Sequence, residues 1–193
     1  SNLKTRAEKV GNKWVLNGAK QFISAGATAD ICMIFAVTDP AAGKKGITAF
    51  MAPTDATGYK VVAREKKLGQ RAGDLCQLAF EDLEIPPDMV LGEEGFGYNI
   101  ALENLATGRI GIAAQSTGIA RAAFECARDY AKERESFGKP IIEHQAVGHR
   151  LADMATQIEA AHQLTLYAAR LYDADGGGLI EASMAKLFAS EMA

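Results

Sequence analysis

The chain has 193 residues, 48% of them hydrophobic and 23% charged, with a formal net charge of -3 and a pI near 5.7. Such a make-up belongs to a globular protein with room for a substantial core, in one large domain or two small ones. It excludes a nucleic-acid partner held by bulk positive charge, and no apolar run is long enough to enter and cross a bilayer as a helix.

In chain order, the first ninety or so residues read as strands and turns. Strands are predicted over Trp14 to Leu16, Lys20 to Ser24, Ile31 to Thr38, Ile47 to Pro53, Tyr59 to Ala63 and Leu75 to Ile85. Asn17-Gly18 between apolar residues is a hairpin-turn signal, and Pro86-Pro87 closes this part. No long helical period separates the strands, so a parallel sheet with crossover helices does not fit. An antiparallel barrel or sandwich does. Gly92 to Gly97 lacks the offsets of a dinucleotide fingerprint and reads as a flexible connector.

From Phe96 onward the period is helical. Val147, Leu151, Met154, Ile158, Ala161, Thr165, Ala168 and Tyr172 alternate steps of four and three. A helix of that length is roughly 40 Å long, and its single apolar seam wants antiparallel partners. Three helices are predicted: about 96 to 134 with a possible break, about 143 to 173, and about 179 to the end, the last two joined by Gly176-Gly-Gly178. The expected architecture is α+β and multidomain, with a β domain over 1–90 and an antiparallel helical bundle, cut short, over 91–193. The chain starts at Ser1 without methionine and stops inside an alanine-rich helical pattern. It reads as a piece of a longer protein.

Cys32, Cys76 and Cys126 are odd in number, widely spaced and set among apolar residues, which suggests reduced, buried thiols with no disulfide framework. His144 and His149 stand five apart, off any shared helical face, and no HExxH occurs, so no metal site is expected. The basic clusters Lys44-Lys45 and Arg64-Glu-Lys-Lys67 read as solvated positions. Arg134-Glu-Ser-Phe-Gly138 is more pointed: a fixed cation, a hydroxyl and an aromatic ring together suit a diphosphate and an aromatic base. The same residues also make an ordinary helix stop, with a last-turn cation, then Gly138 and Pro140. Phe22 and Ser24 fall on one face of a strand by alternation, a ring and a hydroxyl side by side. From the pattern alone, core packing for Phe22 and a strand-end role for Ser24 are the plainer account.

Leu16-Asn-Gly-x-Lys20, Phe22-Ile-Ser24, Lys67-Leu-Gly69, Phe80-Glu-Asp82, Ile85-Pro86, Gly108-Arg-Ile110, Arg134-x-x-Phe-Gly138, His144-Gln145 and Leu151-Ala-Asp-Met154 stand in the order and spacing of the acyl-CoA dehydrogenases. Over nearly its whole length the chain resembles the middle β domain and the first part of the C-terminal helical domain of that family. The resemblance implies FAD, with Phe22, Ile23 and Ser24 along the flavin ring and Ser24 donating towards its N5. Tryptophan and threonine are commoner at positions 22 and 24. It further implies that Arg134 and Ser136 meet the FAD diphosphate of a neighbouring subunit, that Phe137 and Gln145 lie near its adenine portion, and that Arg109 helps bind the substrate. The implied reaction is oxidation of an acyl-CoA thioester to the 2,3-enoyl-CoA, as in fatty acid or branched-chain amino acid catabolism. Electrons would pass to an electron-transfer flavoprotein; an acyl-CoA oxidase of the same fold or a non-catalytic helical scaffold are the alternatives. A homotetramer or homodimer is implied, cytoplasmic in a bacterium and in the mitochondrial matrix of a eukaryote. The family's glutamate base stands either just before the arginine matching Arg109 or far along the final helices. Position 108 is glycine, so no catalytic base is expected in these residues and one is expected after Ala193.

Overall fold

The computed structural model describes residues 3–193, apart from the side chains of Ala106 and Asp175. It divides into two compact units, Ser1–Leu102 and Glu103–Ala193. In the first, β1 (Arg6–Val10), β2 (Lys13–Ser24), β3 (Ile31–Val37), β4 (Ile47–Pro53), β5 (Tyr59–Arg64), β6 (Leu75–Ile85) and β7 (Val90–Leu91) form one seven-stranded sheet in the order β5-β6-β2-β1-β3-β4-β7. Every pairing is antiparallel except β1 with β3, which meet in parallel at Arg6 and Val37. The expected antiparallel fold therefore carries one parallel link. Three inter-strand steps separate β2 from β4, about 14 Å on a flat sheet, yet the rings of Trp14 and Phe50 lie 5.5 Å apart edge to face. The sheet is thus curled over a single core of Leu16, Ile34, Phe50, Leu78, Phe80, Leu83 and Ile85.

Asn17-Gly18 is not a hairpin turn. The β1–β2 turn is Gly11-Asn12, between the paired Val10 and Lys13, and β1 had no counterpart among the predicted strands. Asn17 lies inside β2, facing a bulge in β6. Its side-chain oxygen accepts from the Asp82 backbone N–H at 2.9 Å, and its amide donates to the Asp82 carboxylate at 3.0 Å. Next to it the Thr5 hydroxyl donates to Ala19 O at 3.0 Å. Gly18, at φ 141°, leaves Thr5 room, since a Cβ there would lie 2.8 Å from the Thr5 Cα. Gly95 and Gly97 are likewise packed and not a loose connector: Gly95 N–H donates to the Thr48 hydroxyl at 2.9 Å, and a Cβ on Gly97 would meet the Thr48 backbone carbon at 2.7 Å.

Helix α1 (Gly97–Glu133) runs without the anticipated break. A hairpin of β8 (Glu135–Ser136) and β9 (Lys139–Pro140) leads to α2 (Gln145–Asp175) and α3 (Leu179–Met192). In the second unit Ala113, Ala161, Ala168, Ala182, Ala185 and Ala189 are buried, backed by Ile110, Leu164 and Met192. Alanine at these contacts lets helices approach closely while contributing little apolar area per residue. On α2 the predicted seam is buried in its middle, at Ile158, Ala161, Thr165 and Ala168, whereas Met154 and Tyr172 remain exposed. All three cysteines are free, but only Cys76 is buried; Cys32 is half-buried and Cys126 exposed. Cys126 lies on a solvent-facing stretch of α1, which corrects the expectation of three buried thiols.

Candidate functional site

Strand β2 ends in a second irregularity. Between Lys20 and Ile23 its register against β6 shifts, so that Gln21 and Phe22 together oppose Gln77. Such a bulge bends a strand and re-aims a side chain. Phe22 takes φ 59° and is 63% exposed, whereas Ile23 packs against the β core. Ser24 is exposed, and its hydroxyl has no hydrogen-bond partner among the described residues. The ring and hydroxyl that alternation placed on one face are both turned away from the core. Ile23, Ser24, Ala25, Cys32, Met33 and Tyr59 help line a cavity of about 200 Å³.

This edge is held from behind. Lys20 Nζ donates to Phe35 O at 2.6 Å, bridging β2 and β3 beyond the end of β1, and burial lowers its pKa to about 8. Tyr59 donates its hydroxyl to Gly26 O at 2.8 Å, and burial raises its pKa. Gln21 donates to the Glu65 carboxylate at 2.7 Å. Ala25 has φ 55°, so two non-glycine residues within this short segment adopt the left-handed region. Backbone of that kind persists only where its surroundings over-determine it.

The second group surrounds the β8–β9 hairpin. Phe137 and Gly138 form its two-residue turn with φ 51° and 78°, the pattern of a type I′ turn. The helix stop therefore continues into a hairpin, which the sequence reading did not anticipate. Phe137 stands at the tip, 96% exposed. His144 supports it: its Nε2 lies 3.1 Å from Ser136 O, and its ring meets the Phe137 ring edge to face at 6.2 Å. His144 was not among the predicted site residues, although its place directly before Gln145 marked the position. Ser136 is half-buried; Arg134 and Gln145 are exposed, with Gln145 opening α2. The Arg134 guanidinium has no hydrogen bond or ion pair among the described residues. A guanidinium without a partner among the described residues, a nearly bare phenyl ring and a first-turn amide, all within twelve residues of chain around one turn, suit a ligand carrying phosphate and an aromatic base.

Arg109 stands about 37 Å from Arg134 along α1. It is half-buried and donates from Nη1 to the Ser183 hydroxyl at 2.7 Å, which in turn donates to Leu179 O at 2.6 Å. Gly108 beside it has open space where a side chain would be. Among the described residues no group of three His, Cys, Asp or Glu could hold a metal ion.

The chain's similarity to known proteins covers both units. Residues 1–83 match the family model for the acyl-CoA dehydrogenase middle domain, and residues 95–193 match that for the C-terminal domain. The short/branched chain specific acyl-CoA dehydrogenase, mitochondrial, of Rattus norvegicus is 48% identical over 191 residues, covering 99% of this chain and 44% of the rat protein. Butyryl-CoA dehydrogenase from Megasphaera elsdenii superimposes with a TM-score of 0.95 at 41% identity, over 99% of this chain and 50% of that one. A chain from the structure of the electron transferring flavoprotein of Acidaminococcus fermentans gives 0.95 at 44% identity, over 100% of this chain and 50% of that one. The chain thus spans about half the length of the relatives it matches. Two family models laid end to end over the β unit and the helices settle its lineage: the chain belongs to the acyl-CoA dehydrogenases, a family of flavin-dependent oxidoreductases that use FAD.

Proposed function

We propose that the protein oxidises an acyl-CoA thioester to the 2,3-enoyl-CoA, with Phe22, Ile23 and Ser24 forming the protein edge against the flavin. The observation that carries this reading is the bulge at the end of β2, which leaves the Phe22 ring and the Ser24 hydroxyl both exposed, the hydroxyl without a partner among the described residues, in a family of flavin enzymes. When bound, FAD supplies the hydride acceptor. Phe22 would cover the ring system and keep water from it, and Ser24 would donate one hydrogen bond towards it. Arg134 and Ser136 would bind the diphosphate, with Phe137 and Gln145 beside the adenine. Arg109, its guanidinium held by Ser183, would orient the substrate.

The same reading assigns residues 1–90 to the middle β domain and 91–193 to the helical domain, and makes an electron-transfer flavoprotein the electron acceptor and a homotetramer or homodimer the working form. It places the protein in the bacterial cytoplasm or the mitochondrial matrix. The test is purification of the full-length protein. Flavin absorbance that bleaches anaerobically with a short acyl-CoA supports the proposal; a colourless protein that takes up no added FAD would end it.

A further inference from the structure

Asp74 lies just before β6 and gathers the backbone that follows Ser24. Its carbonyl accepts from Ala25 N–H at 3.2 Å. One carboxylate oxygen accepts from Ala27 N–H at 2.9 Å and from the Cys76 thiol at 3.2 Å; the other accepts from the Thr28 hydroxyl at 3.0 Å. The partners of these bonds begin one residue after Ser24. Cys76, which the carboxylate also holds, pairs with Ile23, and Leu75 pairs with Ser24. Phe22 and Ala25 both sit at positive φ, so the edge they bound is strained and needs an external clamp. Tyr59 contributes one bond to this segment, to Gly26 O; Asp74 contributes three, and a fourth ties its carboxylate to Cys76 on β6. The bond from Ala27 N–H is the leading reason that the Asp74 carboxyl titrates below its ordinary range, so the carboxylate remains charged and holds its donors.

We infer that Asp74 is a positioning residue, which through the 25–28 turn fixes Phe22 and Ser24 in the geometry that meets the flavin. The inference rests on the function proposed above. Asp74 itself touches neither cofactor nor substrate in this account. Asparagine would offer one acceptor oxygen in place of two and a donor in place of the other, so it would retain part of the clamp. Alanine would retain only the backbone bond.

The test uses the full-length holoprotein. Asp74→Ala is expected to raise the FAD dissociation constant by at least about tenfold, the scale of one charge-assisted hydrogen bond, and to shift the flavin's visible band and reduction potential. Asp74→Asn should fall between it and wild type. In the flavin-free protein, amide exchange of residues 22–28 should accelerate while β3 and β4 keep their protection. A double-mutant cycle separates positioning from general loosening. Ser24→Ala should shift the potential in the wild-type background and have little further effect beside Asp74→Ala. Full additivity of the two, or wild-type affinity and spectrum in Asp74→Ala, overturns the inference. Should Asp74→Ala fail to fold, Thr28→Val removes one bond alone: a smaller shift in the same direction supports the clamp, and an unchanged flavin overturns it. If Phe22→Ala and Ser24→Ala leave bound flavin unaltered, the placement of the flavin is wrong and the inference falls with it. That outcome is visible without any Asp74 variant.

Discussion

Lys20 shows how one residue can couple fold and pH. Its ammonium reaches across the gap between β2 and β3 to the Phe35 carbonyl, and burial lowers its pKa from 10.5 to about 8, against a smaller opposing influence of Cys32. Between those two values the unfolded chain binds more protons than the folded one. The contribution of Lys20 to stability therefore rises with pH across that window and is constant below it. Wild type and Lys20→Met should be compared by urea unfolding at about pH 7 and about pH 9.5. Wild type should gain on the variant by on the order of 1 kcal/mol at the higher pH, once the shift is discounted for solvent screening; a pH-independent difference would remove burial as the cause. Arg134 carries a second residue-scale prediction. Its guanidinium is exposed and has no partner among the described residues, so Arg134→Ala should leave the helix intact yet weaken FAD binding in the full-length protein by about 1.5 to 3 kcal/mol, as for a lost charged hydrogen bond. Calorimetric titration with FAD decides it, and an unaltered dissociation constant counts against the assignment.

At the scale of elements, β2 and β6 show what a sequence displays and what it conceals. On β6 the buried positions are Cys76, Leu78, Phe80, Leu83 and Ile85: strict alternation that slips by one residue at Glu81-Asp82. The slip is visible in the sequence, and it is the bulge opposite Asn17. What alternation could not reveal is that Asn17-Gly18 would serve that bulge instead of reversing the chain, because the competing signal, Gly11-Asn12, lay a few residues earlier beside a strand of charged residues. Gly18 is there for close approach to Thr5. Gly18→Ala should accordingly cost roughly 2 to 4 kcal/mol through steric conflict and backbone strain, read as a drop in the urea midpoint. A cost below about 0.5 kcal/mol, ordinary for a surface change, would mean that the strand moves aside easily. The helices were more legible, since three-and-four spacing persists over many turns, and α2 and α3 begin within two residues of the expected positions. Phe22, Ser24 and Arg134 could be singled out by residue type. The clamps behind them, Asp74 and His144, could not, because their partners, the backbone of Ala27 and Ser136 among them, are brought close only by folding.

For the whole molecule the decisive feature is a missing side chain. Arg109 is held by Ser183 on α3, and the position before it, Gly108, presents no group that could accept a proton. Glu103 is exposed on α1, nearly two turns before Arg109 and well round the helix from it. The base for removal of the acidified alpha proton is therefore proposed to lie outside these residues, consistent with a chain that spans about half the length of its relatives. Flavin binding and proton abstraction then become separable in experiment. The 193-residue chain, mixed anaerobically with FAD and a panel of acyl-CoA thioesters, should leave the flavin absorbance unchanged over hours, whereas the full-length protein should bleach with its substrate. Stoichiometric bleaching by the short chain would place a base within it, and Glu103→Gln would then show at once whether Glu103 serves.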